Sequence, residues 1–163
     1  MATEPNQSTP PLTPEALWLV CSLLQKYEVK YVLVGARACI LHGLVRSTQD
    51  VDLLVEPSPE NLQLVIDALS ELPDHAAREL TLKDLQDNVV VKVADAVEVD
   101  IAKQAWTVDY AEASRDAKTL TVDGVEIVYA GLDTLIKSKS TYREQDRVDR
   151  QSLLWLKQEQ QKK

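Results

Sequence analysis

Two aspartates one residue apart, in the run Asp50-Val51-Asp52-Leu53, are the side chains of this 163-residue chain best placed to do chemistry. A strand turns successive side chains to opposite faces, so Asp50 and Asp52 share one face while Val51 and Leu53 point the other way, into a core. Two carboxylates held side by side resist joint ionisation unless a cation sits between them. Hard oxygen ligands in that arrangement suit Mg²⁺ far better than Zn²⁺. The spacing therefore points to a metal-dependent site for phosphoryl-type chemistry. The chain offers no Walker loop, no Ser-His-Asp set and no zinc-ligand cluster as a rival.

The elements that must position these acids can be read on either side of them. Residues 32–56 read as strand, tight glycine turn, short helix, loop and second strand. Tyr31–Val34 is short and apolar, the pattern of a central strand. Gly35 ends it, residues 36–41 continue as a short helix, and His42-Gly43 closes that helix. Residues 46–49 form the loop into the aspartate strand, which spans residues 50–56. Upstream, Thr13-Pro14-Glu15 is a helix start, followed by one stripe of Leu17, Val20, Cys21 and Leu24. Downstream, Ser58-Pro59-Glu60 repeats the start and Leu62, Val65, Ile66 and Leu69 repeat the stripe, predicting a helix to about Leu72.

The remainder is read more coarsely. Residues 76–86 carry a weak signal, and residues 88–94 and 96–102 form a hairpin around Asp95. In its second arm Val97, Val99 and Ile101 alternate with Glu98 and Asp100. Residues 106–113 are mixed, with helical character. Residues 119–122 and 126–129 flank Asp123-Gly124, the commonest two-residue hairpin turn. Leu132, Leu135 and Ile136 begin a third helix, and a last one runs from about Glu144 to Lys157 with Val148, Leu153, Leu154 and Leu156 inward. This order predicts the α+β class, a mixed sheet flanked by helices with a helical C-terminal part. Residues 1–12 read as a flexible tail and residues 13–160 as one domain.

Composition narrows the function classes. The chain is 45% hydrophobic and 27% charged, a globular balance. A net charge of −8 argues against a surface built for non-specific nucleic-acid binding, so any polyanion must be held locally by a few Arg and Lys. Cys21 and Cys39 stand among apolar neighbours on helical segments and read as buried, reduced packing residues. No apolar run approaches membrane-spanning length and no leader sequence is visible, so a soluble cytoplasmic protein without a membrane partner is expected.

Gly35-Ala36, thirteen intervening residues, then Asp50-Val51-Asp52-Leu53 resembles the signature of the polymerase-β-type nucleotidyltransferase superfamily. The wider context, residues 34–55, is similar to small bacterial nucleotidyltransferase-like proteins, among them the AbiEii-type toxins. Residues 135–139, 142–146 and Asp149 resemble the C-terminal helical part of those proteins. The resemblance implies the polymerase-β-like fold and a third carboxylate from a neighbouring strand. Asp100 is its counterpart here, and Glu98, on the same face two residues away, remains open as an alternative.

It further implies Mg²⁺, with Mn²⁺ as an alternative, held by Asp50, Asp52 and Asp100, and transfer of a nucleoside monophosphate from an NTP to a hydroxyl acceptor. In such a site two ions about 3.5–4 Å apart hold the triphosphate and the attacking hydroxyl. Gly35 lets the backbone approach the phosphates, and the N–H groups opening the helix at Ala36 can receive them, although the family carries Gly or Ser at the position of Ala36. Arg37 and Arg46 are candidates for the triphosphate, Thr48 for the nucleotide or for capping the turn, and Lys139 and Arg143, about one helical turn apart, for the nucleotide. For Arg46 an ion pair with the same acids is the competing reading. For Lys139 and Arg143 it is a solvated helix face, and for Glu98 and Asp100 the wet face of a strand. A different class of function is a binding protein that keeps the fold with weak or absent catalysis, as one half of a toxin–antitoxin pair. The retained acids favour the enzyme, whereas Ala36 and the modest number of cations favour the binding protein. The acceptor, whether small molecule, RNA or protein, is not written in the sequence.

Overall fold

The computed structural model describes residues 14–162, so the tail expected over residues 1–12 and the cap expected at Thr13 lie outside the described residues. Helix α1, Pro14–Lys26, carries Glu15 in its first turn and Lys26 in its last, each complementing the helix dipole. Its stripe of Leu17, Val20, Cys21 and Leu24 is buried. Strand β1, Tyr31–Val34, is buried at all four positions, as its unbroken apolar run predicts. Gly35, in the left-handed region at φ +72°, turns the chain into α2, Gly35–Leu41, which is closed by His42 and by Gly43 at φ +108°.

Strand β2, Asp50–Val55, follows a loop and leads to α3, Pro59–Leu69. The Ser58 side chain caps α3 by accepting the Asn61 N–H, with Pro59 in the first turn. The helix ends earlier than the expected Leu72, at Ser70, whose hydroxyl donates to the Ile66 carbonyl at 2.6 Å. The buried Asn61 side chain bonds the Lys30 N–H and carbonyl and the Glu56 carbonyl, tying the start of β1 to the end of β2.

Two small elements fill the stretch of weak signal. A 3-10 helix, Ala76–Glu79, precedes α4, Leu82–Asp87, whose Thr81–Asp84 capping box supplies the start that hydrophobic periodicity does not show. Strands β3, Val90–Ala94, and β4, Glu98–Ala102, form the expected antiparallel hairpin. The mixed stretch after it resolves into a two-stranded ribbon of β5, Gln104–Ala105, and β6, Val108–Asp109, turning at Trp106 with φ +58°, and then α5, Tyr110–Arg115. Strands β7, Lys118–Val122, and β8, Val125–Tyr129, meet at Asp123 (φ +48°) and Gly124 (φ +81°). Both turn residues are left-handed, the conformation that matches strand twist in a two-residue hairpin.

The chain ends in α6, Leu132–Ser138, and α7, Glu144–Gln161. Helix α7 runs past the expected end at Lys157, and its inward stripe differs from the expected one. Leu153 is fully buried and Leu154 and Leu156 are half-buried, but Val148 is exposed. Asp146 and Asp149 take the inward positions instead, three and four residues from each other and from Leu153, because each finds a cation there.

The strands assemble as one six-stranded mixed sheet in the order β3-β4-β2-β1-β8-β7, with β2–β4 and β1–β8 parallel and the other pairs antiparallel. One apolar core packs helices on this sheet, with Leu33, Leu53, Leu54, Leu135 and Leu153 fully buried. Cys21 and Cys39 sit in it as free thiols, and burial pushes both up to about 11. This is the α+β architecture the element order predicts, with the two aspartates near its centre.

Candidate active site

The register of β2 against β4 decides which acids meet. Asp52 lies directly opposite Asp100, and Asp50 opposite Glu98, while Val51 and Val99 pair on the buried side. Residues directly opposite in adjacent strands share a face. All four carboxylates therefore stand on one surface of the sheet. Asp100 pairs with Asp52 and is the more buried of the two candidates for the third acid, its side chain 20% exposed against 48% for Glu98.

Asp52 feels this crowding most. Burial, then a hydrogen bond and charge from Asp100, then the charge of Asp50 push its carboxyl up to about 7, against the opposing pull of Lys139. Gly35 lies directly over it: a Cβ at that position would fall 2.8 Å from the Asp52 Cγ, so only glycine leaves room for the carboxylate. The left-handed φ of Gly35 sets the same requirement independently.

A cleft of about 430 Å³ opens at this point, lined by Gly35, Asp52, Asp100, Lys139, Arg143 and Asp146. At its rim Trp106 and Tyr142 meet edge to face with ring centroids 6.2 Å apart. Lys139 and Arg143 are not one turn apart on a helix as expected. Lys139 is the C-cap of α6 and Arg143 the N-cap of α7, and the short connection between the helices aims both at the cleft. Lys139 is buried between Asp146 and Asp149, at 3.3 and 3.0 Å, and Arg143 is 69% exposed beside Asp146 at 3.2 Å.

The structure does not bring Arg37, Arg46 and Thr48 to the same cleft. Arg37 is buried and donates to the Asp50 carbonyl at 3.1 Å and the Gln49 carbonyl at 3.3 Å, fixing the backbone that enters β2. Burial lowers its pKa, with Asp52 and Asp50 acting in the opposite direction. Arg46 forms an ion pair, yet its partner is Asp149 at 3.0 Å on α7, not the strand acids. Thr48 caps the turn, its hydroxyl accepting the Asp50 N–H at 3.3 Å. Ala36 is buried in the first turn of α2. His42 serves the turn too, its Nε2 lying 2.8 Å from the Ala130 carbonyl.

Sequence reasoning missed Lys92. Its Nζ reaches Asp100 at 3.2 Å and Asp50 and Glu98 at 3.4 Å each. Burial works against the charge of this ammonium, but Asp100 and Asp50 together raise its pKa well above the ordinary lysine value. The signal was available in the hairpin: pairing 90–94 with 98–102 sets Lys92 opposite Asp100.

In kind, the donor set fits a hard divalent cation, since Asp50, Asp52 and Asp100 share a face and burial, with the neighbouring acids, pushes the Asp52 carboxyl up to about 7. In placement, no three acidic, imidazole or thiol side chains among the described residues are gathered closely enough to cage a metal ion, and the Lys92 ammonium stands in their midst.

In architecture this chain has the nucleotidyltransferase fold. It is similar in structure to LnuA, a lincosamide antibiotic adenylyltransferase solved with lincomycin bound, at a TM-score of 0.61 and 16% identity over 89% of this chain and 98% of that one. It is also similar to a Thermotoga maritima protein provisionally described as a nucleotidyltransferase, at a TM-score of 0.54 and 16% identity over 90% of this chain and 96% of the other. No protein-family model matches the sequence, and no curated protein matches it significantly. Among the described residues no helix is long and apolar enough to cross a membrane.

Proposed function

We propose that the protein is a Mg²⁺-dependent nucleotidyltransferase that moves a nucleoside monophosphate from an NTP to a hydroxyl acceptor. The observation that carries this reading is the pairing of Asp52 with Asp100 in register, on the face that also holds Asp50, at the wall of a cleft containing Lys139 and Arg143. Asp50, Asp52 and Asp100 would hold the metal, which supplies charge neutralisation for the triphosphate and the departing pyrophosphate. Gly35 leaves the space that the Asp52 carboxylate fills, so this acid can stand at the cleft wall. Lys139, anchored by Asp146 and Asp149, and the freer Arg143 present positive charge to the β- and γ-phosphates. Asp100, across from Asp52, accepts the acceptor's hydroxyl proton as the oxygen bonds the α-phosphorus and the bond to pyrophosphate breaks in line. Arg37, Arg46 and Thr48 support this reading as scaffold that fixes the start of β2 and its loop.

The test is incubation with α-labelled nucleotides, Mg²⁺ and a cell extract. Label is expected to pass to an acceptor with the wild-type protein and to fall about a hundredfold or more in Asp100→Asn. Equal labelling by wild type and variant contradicts the assignment. A second reading, a binding protein of this fold with weak catalysis such as a toxin–antitoxin component, draws on Ala36 and on the lysine amid the acids. It gains ground if no nucleotide yields labelled product.

A further inference from the structure

We infer that Lys92 is a tethered counter-cation: its ammonium bridges Glu98 and two of the three acids that would hold the metal, so that lysine and metal would compete for Asp50 and Asp100. The inference rests on the metal-dependent reading of the site and adds a built-in restraint on metal loading. Lys92 is Cα-paired with Asp100 across β3–β4, so its side chain rises on the acid-bearing face by register. One ammonium then bridges acids from β2 and β4 at 3.2–3.4 Å. Its separation from the carboxylates is that of an ion pair, and a divalent ion ligated by the same oxygens would be driven against it by like-charge repulsion.

Displacement is feasible because β3 is an edge strand and the lysine side chain is 47% exposed. A partly exposed ion pair of this kind is weak, and a flexible four-carbon stem can swing into solvent without disturbing the sheet. Three carboxylates around a single ammonium still leave negative charge in excess, so the site attracts a second cation even while the lysine is in place. The lysine therefore raises the metal concentration the site requires without closing it.

The experiment is titration of the nucleotide-free protein with Mn²⁺, followed by electron paramagnetic resonance, and with Mg²⁺ by calorimetry. Lys92→Met is expected to bind either ion about three- to tenfold more tightly than wild type, with the gain shrinking as salt is added. Lys92→Arg keeps the charge and is expected to stay near the wild-type affinity. Should the methionine variant fail to fold, Lys92→Gln serves as the neutral substitution. In thermal melts the neutral variants are expected to be less stable than wild type without metal and to gain more from Mg²⁺. Unchanged or weaker metal binding by the neutral variants, with wild type still loading metal at Asp52, overturns the role of Lys92 and leaves the transferase reading standing. No metal binding by wild type or by the neutral variants overturns both.

Discussion

At the scale of single residues, Asp52 carries the electrostatic tension of the site. Burial, and then its pairing with Asp100, hold its carboxyl up to about 7, above the ordinary 3.8. A folded-state pKa above the unfolded one means that the folded protein binds the extra proton between these values. Stability is then greatest below the unfolded value, falls as pH rises through that window, and stays low above about 7. In chelator-containing buffer, thermal melts from pH 4 to pH 8 are expected to show this decline, and Asp52→Asn to flatten it. The variant should gain on the order of 2–4 kcal/mol at pH 8 relative to wild type. Addition of Mg²⁺ should reduce the wild-type decline, since a bound cation stabilises the charged carboxylates. A wild-type profile already flat without metal would remove the tension on which the proposed metal site rests.

At the scale of elements, the position of α7 depends on a buried ion network. Asp149 receives Arg46 from the loop before β2 at 3.0 Å and Lys139 from the end of α6 at 3.0 Å, with Gln145 donating at 2.9 Å. Burial works against its charge, but these three donors together hold its pKa below the usual carboxylate value. For a lowered carboxylate the contribution to stability is present above the unfolded value of 3.8 and is lost as pH falls through the lower folded one, so the network weakens in acid. Asp149→Asn is expected to cost about 3 kcal/mol at neutral pH, because it leaves two cations without their shared partner. Urea unfolding at pH 7 and pH 3 checks both statements: the variant's deficit should be large at the first pH and much smaller at the second.

This network also marks where sequence patterning stops being informative. The stripes of α1 and α3, the apolar run of β1, the Asp123-Gly124 turn and the Asp50–Asp52 alternation were all legible, because each is a local pattern with one period. Val148 reads as inward because hydrophobic periodicity alone cannot announce that Asp146 and Asp149 will be buried by partners more than a hundred residues away or across a helix junction. Helix α4 escaped for the opposite reason: six residues with one buried leucine hold too little periodicity, and its capping box is the stronger mark. Arg37 and Arg46 looked like phosphate ligands by proximity in sequence, but their chain positions place them behind and beside the acids rather than over the cleft. Lys92 was hidden because its meaning lies in register with another strand.

At the scale of the whole molecule, a net charge of −8 would oppose the approach of the proposed triphosphate substrate. The cleft has two cations in its walls, and Lys139 is already engaged by two aspartates. The strand acids facing that cleft would repel phosphate oxygens unless a further cation intervened. Nucleotide and metal binding are therefore expected to be coupled, each weak without the other.

The most direct measurement is the shift in melting temperature on adding an NTP, with and without Mg²⁺, in wild type and in Asp50→Asn. A coupled metal and nucleotide site predicts that wild type is stabilised by the pair well beyond the sum of the separate shifts and that the variant loses that excess. An NTP-induced shift that ignores Mg²⁺, or one that Asp50→Asn retains in full, would contradict it.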